Sequence, residues 1–275
     1  MSHNNQKKIA VINDISGFGR CSITVALPII SHLGIQCCPI PTSIFSNHTA
    51  YPQYFFDDYT DKMQTYIDMW GKLGLKFDGI YTGFLGSEKQ IEIVKQFIHE
   101  FKKDNALVIV DPIMADNGVR YETYTDAMCN EMRQLVNCAD IITPNLTEAM
   151  ILVDKPYNEN ITNKELMQVG KSLIDMGPKK VVITGVKRGS YLVNYIYQKN
   201  QEVKCCKTKR VGEERAGTGD VFSSIIAADA VNGKDIYASV KKASDFIKKA
   251  VIKTNALDIP LEDGIAFEEH LKYLR

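Results

Sequence analysis

The segment Ala216-Gly217-Thr218-Gly219-Asp220 runs directly into an apolar stretch, VFSSIIAADAV. Two glycines let a backbone approach an anion closely, and a helix starting there offers unpaired N–H groups and the positive end of its dipole. Asp220 falls in the first turn of that helix. A carboxylate beside an anion pocket can take the proton of an attacking hydroxyl. A purely structural account is open at this level: Thr218 caps the helix and Asp220 complements its dipole.

Asp111-Pro-Ile-Met-Ala-Asp116 and Asn145-Leu-Thr-Glu148 each place a carboxylate just beyond a strand-like run. Hard oxygen ligands in loops suit Mg²⁺, which takes one or two carboxylates, water and substrate phosphates. Taken singly, Asp111 and Asp140 are solvated turn residues and Glu148 a first-turn acid; together with the glycine loop they favour the metal. Phe45-Ser-Asn-His-Thr49-Ala-Tyr51 mixes hydroxyls, an amide, an imidazole and aromatics, which suits a flat heteroaromatic alcohol and equally an ordinary polar loop. The stretch 212–218 has G-x-x-x-x-G-T but lacks the Walker lysine. Gly17-Phe-Gly19-Arg-Cys-Ser22 misses the third glycine of G-x-G-x-x-G, and no acid follows the second strand to hold a ribose, which excludes a Rossmann dehydrogenase.

The elements that must carry these residues alternate. Apolar runs at 8–13, 35–41, 77–82, 106–110, 140–143 and 180–184 read as strands. Helical spacing covers 20–33, 61–73, 87–103 (with Ser87 as N-cap), 123–136 and 163–176. Continuous apolar strands between helices predict a mostly parallel central sheet covered on both faces, a three-layer α/β/α sandwich. Runs 190–198 and 202–211 predict a C-terminal hairpin turning near Lys199-Asn200, followed by helices at 221–231, 235–254 and 266–274. No repeat or linker divides residues 1–275, so one domain is expected. Ligands sit beyond the carboxyl ends of such strands, where Asp14, Ser46, Thr49, Phe84, Asp111, Asn145 and Gly185 fall. Trp70 lies on a helical stripe and reads as core.

Lys plus Arg and Asp plus Glu balance at 33 each, so the chain has no general attraction for nucleic acid or an anionic membrane. The stretch 1–8 is polar and no run is long enough to span a bilayer. Seven cysteines without C-x-x-C spacing read as free thiols, small buried hydrophobes in a reducing cytoplasm. His3, His32, His48, His99 and His270 form no H-E-x-x-H or Cys/His zinc pattern.

These motifs, in this order and over most of the chain, resemble the pyridoxal kinases of the ribokinase-like superfamily. Phe45-Ser46-Asn47-His48-Thr49 is similar to their substrate loop, and residues 111–116 to their D-P-V-M-G-D segment with Ala115 for Gly. Ala139-Asp140-Ile141-Ile142-Thr143-Pro144-Asn145 with Glu148, Val181-Val182-Ile183-Thr184 and the loop at 217–220 complete the likeness. The resemblance implies ATP-dependent phosphorylation of the 5′-hydroxymethyl group of pyridoxal, pyridoxine or pyridoxamine. It makes Asp220 the base and the N–H groups of Ala216, Gly217, Thr218 and Gly219 the anion hole. It places Asp116 and Glu148 near Mg²⁺, Asp111 and Thr143 near a monovalent cation such as K⁺, Asn145 and Thr184 at ATP, and Ser46, Thr49 and Phe84 in the vitamin pocket. It also implies a homodimer. Asp14 stands where serine is common near the pyridine ring and Phe84 where tyrosine is common, so both bear on vitamer choice. Hydroxymethylpyrimidine kinases share the fold but commonly carry Cys where this chain has Asp220. A non-catalytic B6-binding protein is the alternative from another class.

Overall fold

The computed structural model describes residues 4–275; the start of the polar N-terminal stretch, with His3, lies outside the described residues. In chain order the elements are β1 (Lys8–Phe18), α1 (Ser22–His32), β2 (Gln36–Asn47), β3 (Phe56–Asp58), α2 (Thr60–Lys72), β4 (Phe77–Thr82), α3 (Glu88–Phe101) and β5 (Lys102–Val110). A short ribbon of β6 (Ala115–Asp116) and β7 (Val119–Arg120) precedes α4 (Asp126–Asn137), β8 (Ile141–Ile142), α5 (Leu146–Leu152) and α6 (Asn163–Asp175). Then come β9 (Lys180–Arg188), β10 (Tyr191–Gln198), β11 (Lys204–Lys209), α7 (Thr218–Val231), α8 (Ile236–Ala256) and a 3-10 helix (Glu268–Tyr273).

Nine strands form one sheet in the order β11-β10-β9-β8-β5-β4-β1-β2-β3. From β2 to β9 neighbouring strands are parallel; β3 at one edge and β10 and β11 at the other are antiparallel, so the predicted C-terminal hairpin is present. Alternate residues of β1 feed the two faces: Ile9 and Val11 pack with α1, α7 and α8, and Ala10 and Ile12 with the core under α2 to α6. A strand buried on both sides must be apolar throughout, which explains the unbroken run at its start. The result is the expected three-layer α/β/α sandwich. Trp70 is half-buried and packs against the edge of the core, 5.2 Å from Phe77 between ring centroids.

Several boundaries differ from the sequence expectation. β1 and β2 extend to Phe18 and Asn47, well past 13 and 41, because their parallel ladder resumes beyond a register shift between Asn13 and Ile15. Ladder bonds there carry polar residues that hydrophobic periodicity does not flag. α1 starts at Ser22 instead of 20, and the C-terminal helix is a 3-10 turn. β3, the β6–β7 ribbon and α5 were not anticipated as elements. The ribbon turns on Asn117 and Gly118, both at positive φ, the Asn-Gly signature of a tight hairpin. Cys138 and Cys205 are exposed and Cys37 and Cys38 half-buried, so only Cys21, Cys129 and Cys206 are the buried hydrophobes expected of all seven; none is in a disulfide. Among the described residues no helix is long and apolar enough to cross a membrane.

β1 has β2 on one side and β4 on the other, so the chain changes direction there. The crevice beyond the carboxyl ends of such neighbouring strands is the ligand position of open α/β sheets.

Candidate active site

The glycine loop lies over that crevice. Gly217 is the N-cap of α7 with φ +73°, and a Cβ on it would overlap the carbonyl oxygen of Arg20, so glycine is obligatory. Gly219 is different: its φ is not positive and a Cβ would meet nothing within 4 Å. Neither conformation nor packing calls for glycine at 219, which leaves room for an incoming group as its physical rationale. Thr218 does not cap the helix. Its Oγ1 donates to the Arg215 carbonyl at 3.1 Å, and no side chain caps α7. The first N–H groups of α7 are therefore available to an anion.

Asp220 is 9% exposed. Its carboxylate accepts from Asn13 Nδ2 at 3.3 Å. Burial pushes its pKa up to about 6, with the charge of Asp14 acting in the same direction. Asn13, fully buried, was missed by the sequence reading. Its Oδ1 accepts the N–H groups of Phe84 at 2.8 Å and Asp14 at 3.0 Å, and a Cβ on Gly83 would overlap its amide. Asn13 thus ties β1, the exit of β4 and Asp220 together. The available signal was its place as the last residue of the first apolar strand.

Asp14 is 5% exposed and accepts from Ser22 Oγ at 2.6 Å and Ser16 Oγ at 3.0 Å; burial raises its pKa. Asp111, at the exit of β5, accepts from Thr143 Oγ1 at 3.1 Å and Ser223 Oγ at 2.9 Å. Burial and then the charge of Asp220 push Asp111 up to about 7. Glu148 closes a capping box on α5, accepting from the N–H of Asn145 at 2.8 Å and of Met114 at 3.2 Å. Burial, followed by the charge of Asp111, holds its carboxyl well above the usual range.

Asn145 is the cap of α5, and its Nδ2 donates to the Ala115 carbonyl at 2.8 Å. It bridges in parallel to Thr184, so the residue that follows β8 meets the middle of β9. Asp116 is exposed at the ribbon turn, where Asn117 donates to Glu214 at 2.9 Å and Lys187 pairs with Glu214 at 3.0 Å. The ribbon is therefore tied to β9 and to the loop that leads into Gly217. Phe84 is half-buried, 6.4 Å from the Phe45 ring. Ser46 is exposed, donates to Asn47 Oδ1 at 2.7 Å and accepts from Phe55 N–H at 2.8 Å; Thr49 is exposed. Their loop is anchored by its neighbours: His48 Nε2 lies 2.5 Å from the Glu262 carbonyl oxygen, and Tyr51 donates to Asp263 at 2.6 Å.

Among the described residues no group of three or more His, Cys, Asp or Glu forms a closed metal cage. Asp111, Glu148 and Asp116 nonetheless raise one another's proton affinity or that of their neighbours through like charge. This oxygen-only donor set fits a cation that arrives with phosphates and keeps its water.

A buried carboxylate beside an uncapped helix N-terminus, at the switch point of a three-layer sandwich, fits a member of the ribokinase-like superfamily. The chain belongs to the phosphomethylpyrimidine kinase family, which it matches over residues 23–263. It is 40% identical to a putative phosphomethylpyrimidine kinase from Bacteroides thetaiotaomicron, with TM-score 0.97 over 100% of this chain and 96% of that one. An orthorhombic form of that protein with pyridoxal superposes with TM-score 0.94 at 39% identity, covering 98% and 96%. Pyridoxal kinase from Lactobacillus plantarum is 26% identical, with TM-score 0.91 over 98% of this chain and 96% of that one. The chloroplast thiamine biosynthetic bifunctional enzyme of Arabidopsis thaliana is 26% identical over 88% of this chain, which spans only 46% of that enzyme's length.

Proposed function

We propose that the protein transfers the γ-phosphoryl group of ATP to the 5′-hydroxymethyl group of a B6 vitamer. The carrying observation is the pairing of a buried Asp220 with the uncapped N-terminus of α7. Asp220 takes the hydroxymethyl proton as the oxygen attacks, and a base of pKa about 6 is deprotonated and still proton-hungry at neutral pH. The N–H groups from Ala216 to Gly219 stabilise the charge of the group in transfer. Asn145 and Thr184 hold the nucleotide, and Ser46, Thr49 and Phe84 line the vitamin pocket, with Asp14 at its inner wall. Asp116 and Glu148 would hold Mg²⁺, which neutralises phosphate charge when bound, and Asp111 and Thr143 would face K⁺. In this reading residues 1–275 form one domain that works as a cytoplasmic homodimer, with no nucleic-acid or membrane partner. The pyridoxal in the crystals of the Bacteroides relative supports the vitamer class.

The family description favours a second reading, phosphorylation of a hydroxymethylpyrimidine. A coupled ADP-release assay with pyridoxal, pyridoxine, pyridoxamine and hydroxymethylpyrimidine separates them. The B6 reading expects the highest kcat/KM with a vitamer. The highest value with the pyrimidine assigns the second reading, and vitamer binding without ADP release would mark a non-catalytic binding protein.

A further inference from the structure

Asp14 is a buried carboxylate with nothing in the fold to balance its charge. It is 5% exposed, and its hydrogen bonds come from two hydroxyls, Ser22 at 2.6 Å and Ser16 at 3.0 Å. Among the described residues no salt bridge includes it. The imidazole of His48 is close enough to matter, but its two nitrogens are used as those of a neutral ring. Nε2 faces the Glu262 carbonyl oxygen at 2.5 Å, and Nδ1 accepts the N–H of Ala50 at 3.3 Å. A buried carboxylate without a cation is costly to keep, and stability is a poor reason for one. Two donors also leave about half of its four lone-pair sites free for another.

The charge lies at the crevice. Asp14 N–H donates to Asn13 Oδ1 at 3.0 Å, and Asn13 in turn reaches Asp220 at 3.3 Å and the N–H of Phe84 at 2.8 Å. Ser16, on the same side of β1 as Asp14, is in register with Phe45 on β2, whose ring is 6.4 Å from that of Phe84. Asp14 is therefore one residue from the side chain that touches Asp220 and two from the strand pair that carries the aromatic wall. A ligand that presents a hydroxymethyl group to Asp220 has its neighbouring substituent free to meet Asp14.

In the B6 vitamers that neighbouring substituent is the one that varies: an aldehyde, a hydroxymethyl or an aminomethyl group. The aminomethyl group alone is charged at neutral pH, being an aliphatic amine like that of lysine, with pKa near ~10. The amino group of hydroxymethylpyrimidine is bonded directly to its ring and is neutral. We infer that Asp14 is the specificity-determining residue of the site and selects pyridoxamine, pairing its carboxylate with the substrate's ammonium group. The inference rests on the B6 reading of the site. A neutral vitamer both forgoes the charge-assisted bond and leaves a buried carboxylate unpaired, so the discrimination works from two sides.

The test measures kcat and KM for pyridoxamine, pyridoxal, pyridoxine and hydroxymethylpyrimidine in the wild type and in Asp14→Asn. Wild-type kcat/KM should be highest for pyridoxamine, by about 10-fold or more. In Asp14→Asn the ratio of kcat/KM for pyridoxamine to that for pyridoxal should fall by about 30- to 3,000-fold, the usual effect of removing one partner of a buried charge pair. The change should appear mainly in KM. A wild type without preference for pyridoxamine overturns the inference while leaving the B6 reading in place. So does an unchanged ratio in Asp14→Asn, which would mean that Asp14 acts on every substrate alike. Hydroxymethylpyrimidine as the best substrate is a distinct result and removes the B6 reading together with the inference. If Asp14→Asn does not fold, the wild type decides. Its Kd for pyridoxamine should be about 10-fold or more below that for 4-deoxypyridoxine, which has a methyl group in place of the aminomethyl, and equal Kd values overturn the inference.

Discussion

Helices α5 and α7 each carry one acid in the first turn, Glu148 and Asp220, and both acids are buried. At α5 the acid completes its own helix: Asn145 accepts the N–H of Glu148 at 2.9 Å, and Glu148 accepts that of Asn145 at 2.8 Å. At α7 no side chain caps the helix, and Asp220 turns away to Asn13 on β1. An acid in the same turn finishes one helix and leaves the other open. A terminus satisfied by its own chain has few donors to offer a ligand; an open one with a glycine that packing does not require has them to spare.

The comparison is broken most severely at α7. Asp220→Asn should leave the fold intact and cut turnover by about 10²–10⁴, the span of general acid–base catalysis. It should also raise the melting temperature at pH 8. The sign follows from its pKa: held at about 6 when folded and near 3.8 when unfolded, the carboxyl contributes stability below pH 3.8 that is lost as pH rises through 6. At pH 8 the wild type therefore bears the cost of a buried charge, which Asn removes. Divalent metal belongs with this effect: EDTA-treated enzyme with ATP should lose turnover, and full activity there would contradict the roles given to Asp116 and Glu148.

The two glycines of the loop should respond in opposite ways. Gly217→Ala combines left-handed strain with overlap on Arg20 and should destabilise by roughly 2–6 kcal/mol. Gly219→Ala meets no neighbour and should melt at or slightly above the wild-type temperature while losing turnover. Equal behaviour of the two would mean that 219 is an ordinary helix position. The smallest structural effect is expected at α5, where Glu148→Gln keeps the capping box and should change the melting temperature little. A fall in its turnover then measures the metal role alone.

The glycine loop was legible because its chemistry is local: Gly-Thr-Gly-Asp before an apolar run describes an anion site within a single turn. The sandwich was legible for the same reason, since strands buried on both faces cannot hide their apolar runs. Asn13 was not, because its partners Phe84 and Asp220 are 71 and 207 residues away. Nor was the capping box that Asn145 and Glu148 close, because the 7-residue α5 behind it is too short to show helical periodicity. The extensions of β1 and β2 carry serine, glycine and asparagine, which pair by backbone alone. The β6–β7 ribbon was within reach, because Asn117-Gly118 is a hairpin signal that the helix-and-strand periodicity overshadowed.

The central claim is that Asp220 is the base, and the pH dependence of kcat/KM in the wild type and in Asp220→Asn tests it most directly, because that quantity reports ionisations of the free enzyme. The account predicts that wild-type kcat/KM falls as pH drops through about 6, where Asp220 takes up its proton. It predicts that Asp220→Asn, at its much lower rate, lacks this acidic limb. A wild-type limb that persists unchanged in Asp220→Asn would assign the ionisation, and with it the base, to another group.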